Sequence, residues 1–579
     1  MSLLSVVVVS AVLLVLAYRL YGSLLAKLLR LDANAVTPAA AMRDDVDYLP
    51  LEPRSLLSQH FSAIAAAGPI VGPILAGVMF GWLPAVLWIL IGSIFVGGVH
   101  DFTALTASIR HRACSVAEVV REHMTRRSYV LFMLFVWFAL LYIIVAFTDI
   151  TASSFIGRME LEDGQVVSGG GIASSSILYL LLPVGMGFLL RFKRLTVGVA
   201  TAVFLPLVGV AIWGGQYIPL DLERWFGLNE GNVHLVWNLA ILGYCLIASL
   251  VPVWSLLQPR GHLGGYFLFL TLLGGSLGLI LSGDRVVYPA FTGWETAKGE
   301  PLFPMLFITV ACGACSGFHA IIASGTTSKQ LRCEPDAKMV GYGAMLLEGM
   351  VAVVSLCCVM RLSTDSPLVT GPGGPKPNFL YAQGIGSFLG VLGVPAAFAV
   401  SFGLMAFTTF VYDTLDVCTR LGRYIVEELL GRRDRWGKII GAALTVGAPV
   451  PLLLQQDVDA AGRLVPAWRV YWNLFGASNQ LLAALTLLGV TVWLWRTRRR
   501  GWVLLVCGLP TIAMYTMSTW ALLRIIRQEF LVKGAWAANA VPWVALILVG
   551  LAVLMAVDAV LVFVRLSWPS GRRPQPVLT

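Results

Sequence analysis

The chain has 579 residues, of which 58% are hydrophobic and only 12% charged, at a mean hydropathy of +0.81. That much apolar surface cannot be hidden from water inside an ordinary soluble domain and belongs in a lipid bilayer. The formal net charge of +10 does not point to nucleic acid, because the basic residues form neither a face nor a tail; they recur in short clusters between apolar runs, where membrane lipids are the natural partner.

In chain order, hydropathy predicts about fifteen helical spans, each near the roughly 20 residues that a bilayer requires. They fall at residues 2 to 21, 60 to 80, 83 to 109, 129 to 155, 173 to 190, 195 to 215, 235 to 256, 263 to 282, 302 to 325, 339 to 360, 387 to 415, 437 to 455, 473 to 495, 502 to 523 and 541 to 564. The first carries its positive charges (Arg19, Lys27, Arg30) behind it and lacks a small-residue cleavage signature, so it reads as a retained span with the N-terminus outside. With that orientation the cytoplasmic segments hold 30 of the 41 Lys and Arg residues and the outer loops 11, as the positive-inside rule requires. The inner clusters include Arg110, Arg112, Arg126, Arg127, Arg191 to Arg194, Arg432, Arg433, Arg435 and Arg496 to Arg500, and an odd number of spans leaves the C-terminus cytoplasmic.

Residues 115 to 124 and 420 to 431 read as short amphipathic helices on the cytoplasmic surface. The acidic or Gly/Pro-rich connections at 158 to 171, 284 to 301 and 366 to 377 read as outer surface loops. The chain is therefore expected to be a single membrane transport domain. Residues 1–59 form its first span and a cytoplasmic linker, 60–495 the transport core, and 496–579 the peripheral spans.

Two spans depart from ordinary membrane composition. Residues 60 to 77 open His60-Phe61-Ser62-Ala63-Ile64-Ala65-Ala66-Ala67-Gly68-Pro69-Ile70-Val71-Gly72-Pro73, and residues 312 to 327 read Cys312-Gly313-Ala314-Cys315-Ser316-Gly317-Phe318-His319 through Ser324-Gly325-Thr326-Thr327. Both are expected to break at membrane depth, where unpaired backbone costs several kcal/mol per group unless protein, water or a solute supplies hydrogen bonds. Broken helices in corresponding halves of a chain mark a transport site. An offset of 257 residues sets Ala63 to Gly68 against Ala320 to Gly325 with four identities in six. The two run in opposite directions in the predicted topology, as an inverted repeat requires. Close packing of two small-residue helices is the plainer alternative.

These residues carry a resemblance to the carbon starvation protein A family. The matching stretches are His60 to Pro73, Asp101-Phe102 after Gly97-Gly98, Leu250 to Trp254, Phe307 to Thr327, Gly341 to Glu348, Asp416 to Arg420, and Leu474 to Gln480, spread over residues 20 to 495. His100 stands where several relatives carry an uncharged polar residue, and the loop near 362 to 386 is shorter than in many members. The resemblance implies proton-coupled uptake of pyruvate or small peptides across the bacterial inner membrane, on a leucine-transporter-like inverted-repeat fold of the amino acid/polyamine/organocation superfamily.

A charged side chain at mid-bilayer costs about 2.5 to 3.5 kcal/mol on insertion scales, so each ionisable residue inside a span is a functional candidate. Glu348, with no basic neighbour in its own span, is the leading carrier of a coupling ion, expected to be a proton with sodium as the alternative. Asp101, Asp413 and Asp416 are further ion-coupling candidates, although Asp416 sits four residues before Arg420 and could simply pair with it. His60 and His319 lie in the broken segments, where an imidazole could shuttle a proton or hold a carboxylate. Around them the amides near Gly68, Gly72, Gly317 and Gly325, with Ser62, Ser316, Ser324, Thr326 and Thr327, offer uncharged donors for a small carboxylate. Asn479 and Gln480 could face the same cavity or act as polar glue between helices.

No cofactor or metal is expected, and without a P-loop no ATP; an ion gradient is then the driving force. The pattern Gly274-Gly275-Ser276-Leu277-Gly278 lies inside an apolar span with no preceding strand, so a nucleophile elbow is set aside. The different-class alternatives are an intramembrane enzyme or redox protein using the histidines and the Cys312–Cys315 pair, or a channel or nutrient sensor.

Overall fold

The computed structural model describes residues 2–567 apart from 45–47, 162–163, 194, 372–373, 433, 456, 459–463, 499–500 and 533–539. Arg194, Arg433, Arg499, Arg500 and the C-terminal residues 568–579, read above as cytoplasmic, lie outside the described residues. The protein is a multi-pass helical membrane protein whose described strands form two short antiparallel hairpins, Arg158–Glu160 with Val166–Ser168 and Asp457–Val458 with Leu464–Val465. The first of these hairpins occupies the expected loop at 158 to 171.

Among the described residues thirteen helices are long and apolar enough to cross a membrane, fourteen if the bent pair Pro53–Ile64 and Gly68–Phe80 is one span, where the sequence predicts about fifteen. The expected ninth span is not one helix: residues 302 to 325 are split into Leu302–Thr309, Ala311–Ala314 and Gly317–Gly325. The expected span 387 to 415 is also corrected. It is two helices, Pro377–Val391 and Ala396–Leu429, packed side by side. Gly393, at φ +83°, and Pro395 turn the chain between them, a helix stop that leaves hydropathy high and so escapes a hydropathy reading.

The proposed surface helix at 420 to 431 is the end of that 34-residue Ala396–Leu429 helix. Its charges are buried rather than splayed on a surface: Arg423 Nε lies 3.3 Å from Glu427 Oε1. Val116–His123 does form a separate short helix, with Ser115 as its N-cap.

Contacts at the two ends of the bundle fix which way the helices run. At one end Leu51 bridges Leu331, and Arg110 Nε lies 2.7 Å from Glu334 Oε1 while its Nη2 donates to Leu29 O at 2.9 Å. At the other, Leu3 N–H donates to Asp284 O, Leu83 N–H to Ala290 O and Tyr288 N–H to Met360 O. The Pro53–Phe80 and Leu302–Gly325 segments therefore cross the bundle in opposite directions. The helices around them form the centre: the most apolar window of Ala467–Arg498 is 94% buried and that of Lys338–Met360 83%, against 28% for Val541–Val564, which leaves its apolar side chains to lipid.

Candidate functional site

The first break lies at Ala65 to Ala67, with a bend of 48° between its halves. Pro69 sets it, since a proline ring clashes with the carbonyl four residues earlier and supplies no N–H to continue the ladder. The second break falls at Cys315 and Ser316, both in extended backbone. Here the missing partners come from the Ala467–Arg498 helix. Asn479 Oδ1 accepts from the Phe318 N–H at 3.0 Å, and Asn479 Nδ2 donates to Ser316 Oγ at 3.0 Å and to Cys312 Sγ at 3.3 Å. Gln480 Nε2 lies 3.5 Å from the carbonyl oxygens of Ala311 and Cys315. Both amides thus face the broken segment in this structure.

The two breaks touch. A Cβ on Gly68 would fall 2.4 Å from Cys312 Cβ and Sγ, so only glycine lets the segments approach this closely. Gly72 is turned the same way onto the Thr309 carbonyl, Gly317 onto the Ala483 backbone and Gly325 onto Leu421. His60 Nδ1 and Thr327 Oγ1 are hydrogen-bonded at 2.9 Å across the pair. The Ser324 and Thr326 hydroxyls donate back to their own helix, to Ala320 O and Ile322 O.

Beside the second break runs a chain of alternating imidazoles and carboxylates. His100 Nδ1 lies 2.7 Å from Asp101 Oδ1, Asp101 Oδ2 lies 2.8 Å from His319 Nδ1, and His319 Nε2 lies 3.2 Å from Glu348 Oε2. All four side chains are fully buried. The last contact is close but too poorly aligned for a hydrogen bond. Three elements, Trp82–Arg110, Gly317–Gly325 and Lys338–Met360, bring these four side chains together, hydrogen-bonded from His100 to His319 and in contact from His319 to Glu348. Glu348, with no basic neighbour in the expected span 339 to 360, meets the His319 imidazole from another helix.

Asp413 and Asp416 are brought together beside the first break, around a residue that sequence reasoning missed. Arg260 Nε lies 2.8 Å from Asp413 Oδ1, and its Nη1 contacts Asp416 Oδ2 and the Tyr244 hydroxyl. Tyr244 donates to Asp416 Oδ2 at 2.8 Å, Ser62 donates to Asp413 Oδ2, and the Tyr412 ring centroid lies 5.3 Å from the guanidinium carbon. The expected Asp416–Arg420 pair is not made: Arg420 Nη2 donates to Ala248 O and Val251 O at 2.7 Å, satisfying carbonyls at the end of the Glu230–Leu250 helix. Arg260 was hidden because the expected span began at 263. The available signal was chemical, since two aspartates three apart inside a membrane require a cation nearby. A cavity of about 70 Å³ opens here, lined by Gln59 and Ala63 from the first broken span, Thr326 and Gln330 at the end of the second, and Arg260 and Asp413.

One further cluster lies outside the spans. His111, Glu122 and His123 place their ligand atoms within 4.8 Å of one another, with the two Nε2 atoms 2.8 Å apart. Burial, then the charges of His111 and Arg496, push His123 down to about 4. By donor type these three could hold a divalent cation.

The nine cysteines are all free, and Cys312 and Cys315 are buried, with Cys312 Sγ accepting from Asn479. A family model described as Carbon starvation protein CstA matches residues 2–374 and 368–521. The pyruvate/proton symporter BtsT of Escherichia coli (strain K12) is 31% identical over 600 residues, covering 90% of this chain and 81% of its own. The peptide transporter CstA of Helicobacter pylori (strain J99) is 32% identical, covering 88% and 80%, and that of Bacillus subtilis (strain 168) is 29% identical, covering 96% of both. These relatives are named as transporters, not enzymes. Among solved structures, a manganese transporter of Eremococcus coleocola superposes at a TM-score of 0.42 with 12% identity, covering 90% of this chain and 98% of that one, too loosely to carry an argument.

Proposed function

The chain belongs to the carbon starvation protein CstA family, and from that premise we propose that it is a secondary active transporter of the bacterial inner membrane, taking up pyruvate or a small peptide together with a proton. The observation that carries this reading is the buried Asp101–His319–Glu348 chain beside the second break. Carboxyl and imidazole groups in alternation can accept, hold and release a proton in a place that water does not reach. Two broken helices crossing in opposite directions, tied to each other by His60 and Thr327, supply the backbone donors and the movable halves that alternating access requires. No ATP or cofactor enters this scheme. A membrane potential contributes about 2.3 kcal/mol per net charge per 100 mV, so a zwitterionic peptide entering with one proton can accumulate roughly 50-fold per 100 mV, whereas pyruvate entering with one proton carries no net charge and is driven by the pH gradient alone.

The test is uptake into proteoliposomes under imposed pH or sodium gradients, with labelled pyruvate, dipeptides and tripeptides. Glu348→Gln is expected to abolish pH-driven uptake while leaving counterflow exchange measurable. Undiminished pH-driven uptake in that variant removes Glu348 from the coupling path, and uptake that follows sodium alone removes the proton.

A further inference from the structure

We propose that Arg260 anchors the carboxylate of the substrate, taking it in exchange for Asp413, and that a proton on Asp413 accompanies each exchange. This rests on the reading above of a carboxylate-bearing substrate. Arg260 is 1% exposed and lines the cavity with both aspartates, yet its Nη2 makes no well-aligned hydrogen bond among the described residues, with only the Tyr179 hydroxyl close to the guanidinium on that side, and its Nε faces Asp413 off line. A guanidinium with donors to spare beside a cavity is a ready fork for a planar carboxylate.

Charge decides the rest. Arg420 bears on Asp416 but not on Asp413, so one guanidinium, Arg260, serves both carboxylates at the cavity, and a third carboxylate in so dry a site would meet strong repulsion unless a proton neutralised one of the aspartates. Asp416 is held by both Arg260 Nη1 and the Tyr244 hydroxyl. Asp413 is held by Arg260 Nε and Ser62, so it is the more easily released. The groups facing Asp413 are Arg260 from Leu257–Ser282, Ser62 from the first broken span, Asp416 on its own helix and Tyr179 from Gly169–Phe192. Gly264 leaves room for it, because a Cβ there would fall 2.4 Å from Asp413 Oδ2.

The exchange is connected to movement. Ser62 lies three residues before the break, and the next carbonyl, Ala63 O, accepts from Thr414 Oγ1 at 3.3 Å. Neutralising Asp413 weakens the hydrogen bond that holds Ser62, so anion and proton together loosen the entering half of the broken span. Neither alone does both jobs.

The experiment is calorimetric titration of the purified full-length protein with pyruvate, pyruvamide, alanylalanine and alanylalanine amide, in buffers of different ionisation heat so that protons taken up per ligand are counted. One proton per bound carboxylate and none per amide is expected. Arg260→Gln should weaken carboxylate binding roughly 100-fold and leave the amides unchanged, and Asp413→Asn should bind the carboxylates without proton uptake. Because Arg260→Gln strands two aspartates, the triple variant Arg260→Gln/Asp413→Asn/Asp416→Asn, which leaves no unpaired charge in the cluster, is titrated beside it; it should show no preference for carboxylate over amide. A carboxylate preference that survives in either arginine variant, or a proton still taken up by Asp413→Asn, overturns the proposal. Failure of the unaltered protein to bind any of the four ligands would overturn the carboxylate-transport reading with it. Carboxylate binding that ignores Arg260 overturns this inference alone.

Discussion

His60, one turn before the first break, is hydrogen-bonded through Nδ1 to Thr327 Oγ1, just past the Gly317–Gly325 half of the second broken span, at 2.9 Å. This bond joins two segments that run oppositely through the bundle, so any motion separating them must break it. A buried hydrogen bond of this kind contributes about 1 kcal/mol, a factor of roughly five in the balance between two conformations. His60→Ala and Thr327→Val should each change the rate of counterflow exchange by about that factor, and the double variant should do no more than either alone. Additive effects in that cycle would show two side chains acting independently.

Asp101 orients His319 by holding its Nδ1 at 2.8 Å, which turns Nε2 toward Glu348. Asp101→Asn keeps the shape and removes the charge. Uptake driven by a pH gradient should fall on the order of 100-fold, the usual size of a lost acid–base contribution, while counterflow stays within about twofold. A parallel fall in both would assign Asp101 to substrate binding or folding instead.

Asn479 meets three groups at the second break, and its loss would strand the buried Phe318 N–H. An unsatisfied buried donor costs about 1 to 3 kcal/mol. Asn479→Ala is therefore expected to lower the thermal midpoint in detergent without altering the substrate half-saturation of the protein that remains folded. The reverse outcome, weaker substrate binding at unchanged stability, would make Asn479 a ligand.

The broken spans were legible in the sequence because their signal is compositional: Gly, Pro and His at positions where a membrane helix carries Leu and Val. The pairing of Asp413 with Asp416 was legible for a similar reason, since three residues along a helix return a side chain to the same face. Arg260 was not, because its partners lie some 150 residues away and nothing local marks a basic residue beside a span as buried. The helix Pro377–Val391 was invisible for the opposite reason. Its closing turn, Leu392-Gly393-Val394-Pro395, is as apolar as the helices it separates, and hydropathy reads through it. Asn479 and Gln480 stood out in the sequence as amides inside a span, but whether an amide faces solute or backbone depends on what packs against it, which no local pattern records.

His123 gives the helical hairpin made by the end of Gly98–Arg110 and the short helix Val116–His123 its own pH dependence. Its folded form holds the imidazole down at about 4 against an ordinary 6.5, so between those values the opened hairpin binds a proton that the closed one refuses. Stability contributed by the neutral ring is full above about pH 6.5 and drains away as the pH falls toward 4. Amide hydrogen exchange across residues 110–124, corrected for the intrinsic pH effect, should quicken over that window, and His123→Gln should flatten it. A flat profile in the unaltered protein would place the His111–His123 contact outside the hairpin's stability.

Gly68 offers the sharpest steric test of how the two breaks meet. A methyl group there would sit 2.4 Å from Cys312 Cβ and Sγ, far inside van der Waals contact, and overpacking a core position typically costs about 1 to 3 kcal/mol. Gly68→Ala should depress both thermal stability and uptake. Removing only the sulfur, by Cys312→Ala, leaves the Cβ clash and should not rescue it, whereas Cys312→Gly clears both atoms and should restore much of the loss. Rescue by Cys312→Ala to the same extent would mean that the segments adjust around Gly68, and that their close approach is not fixed at this pair.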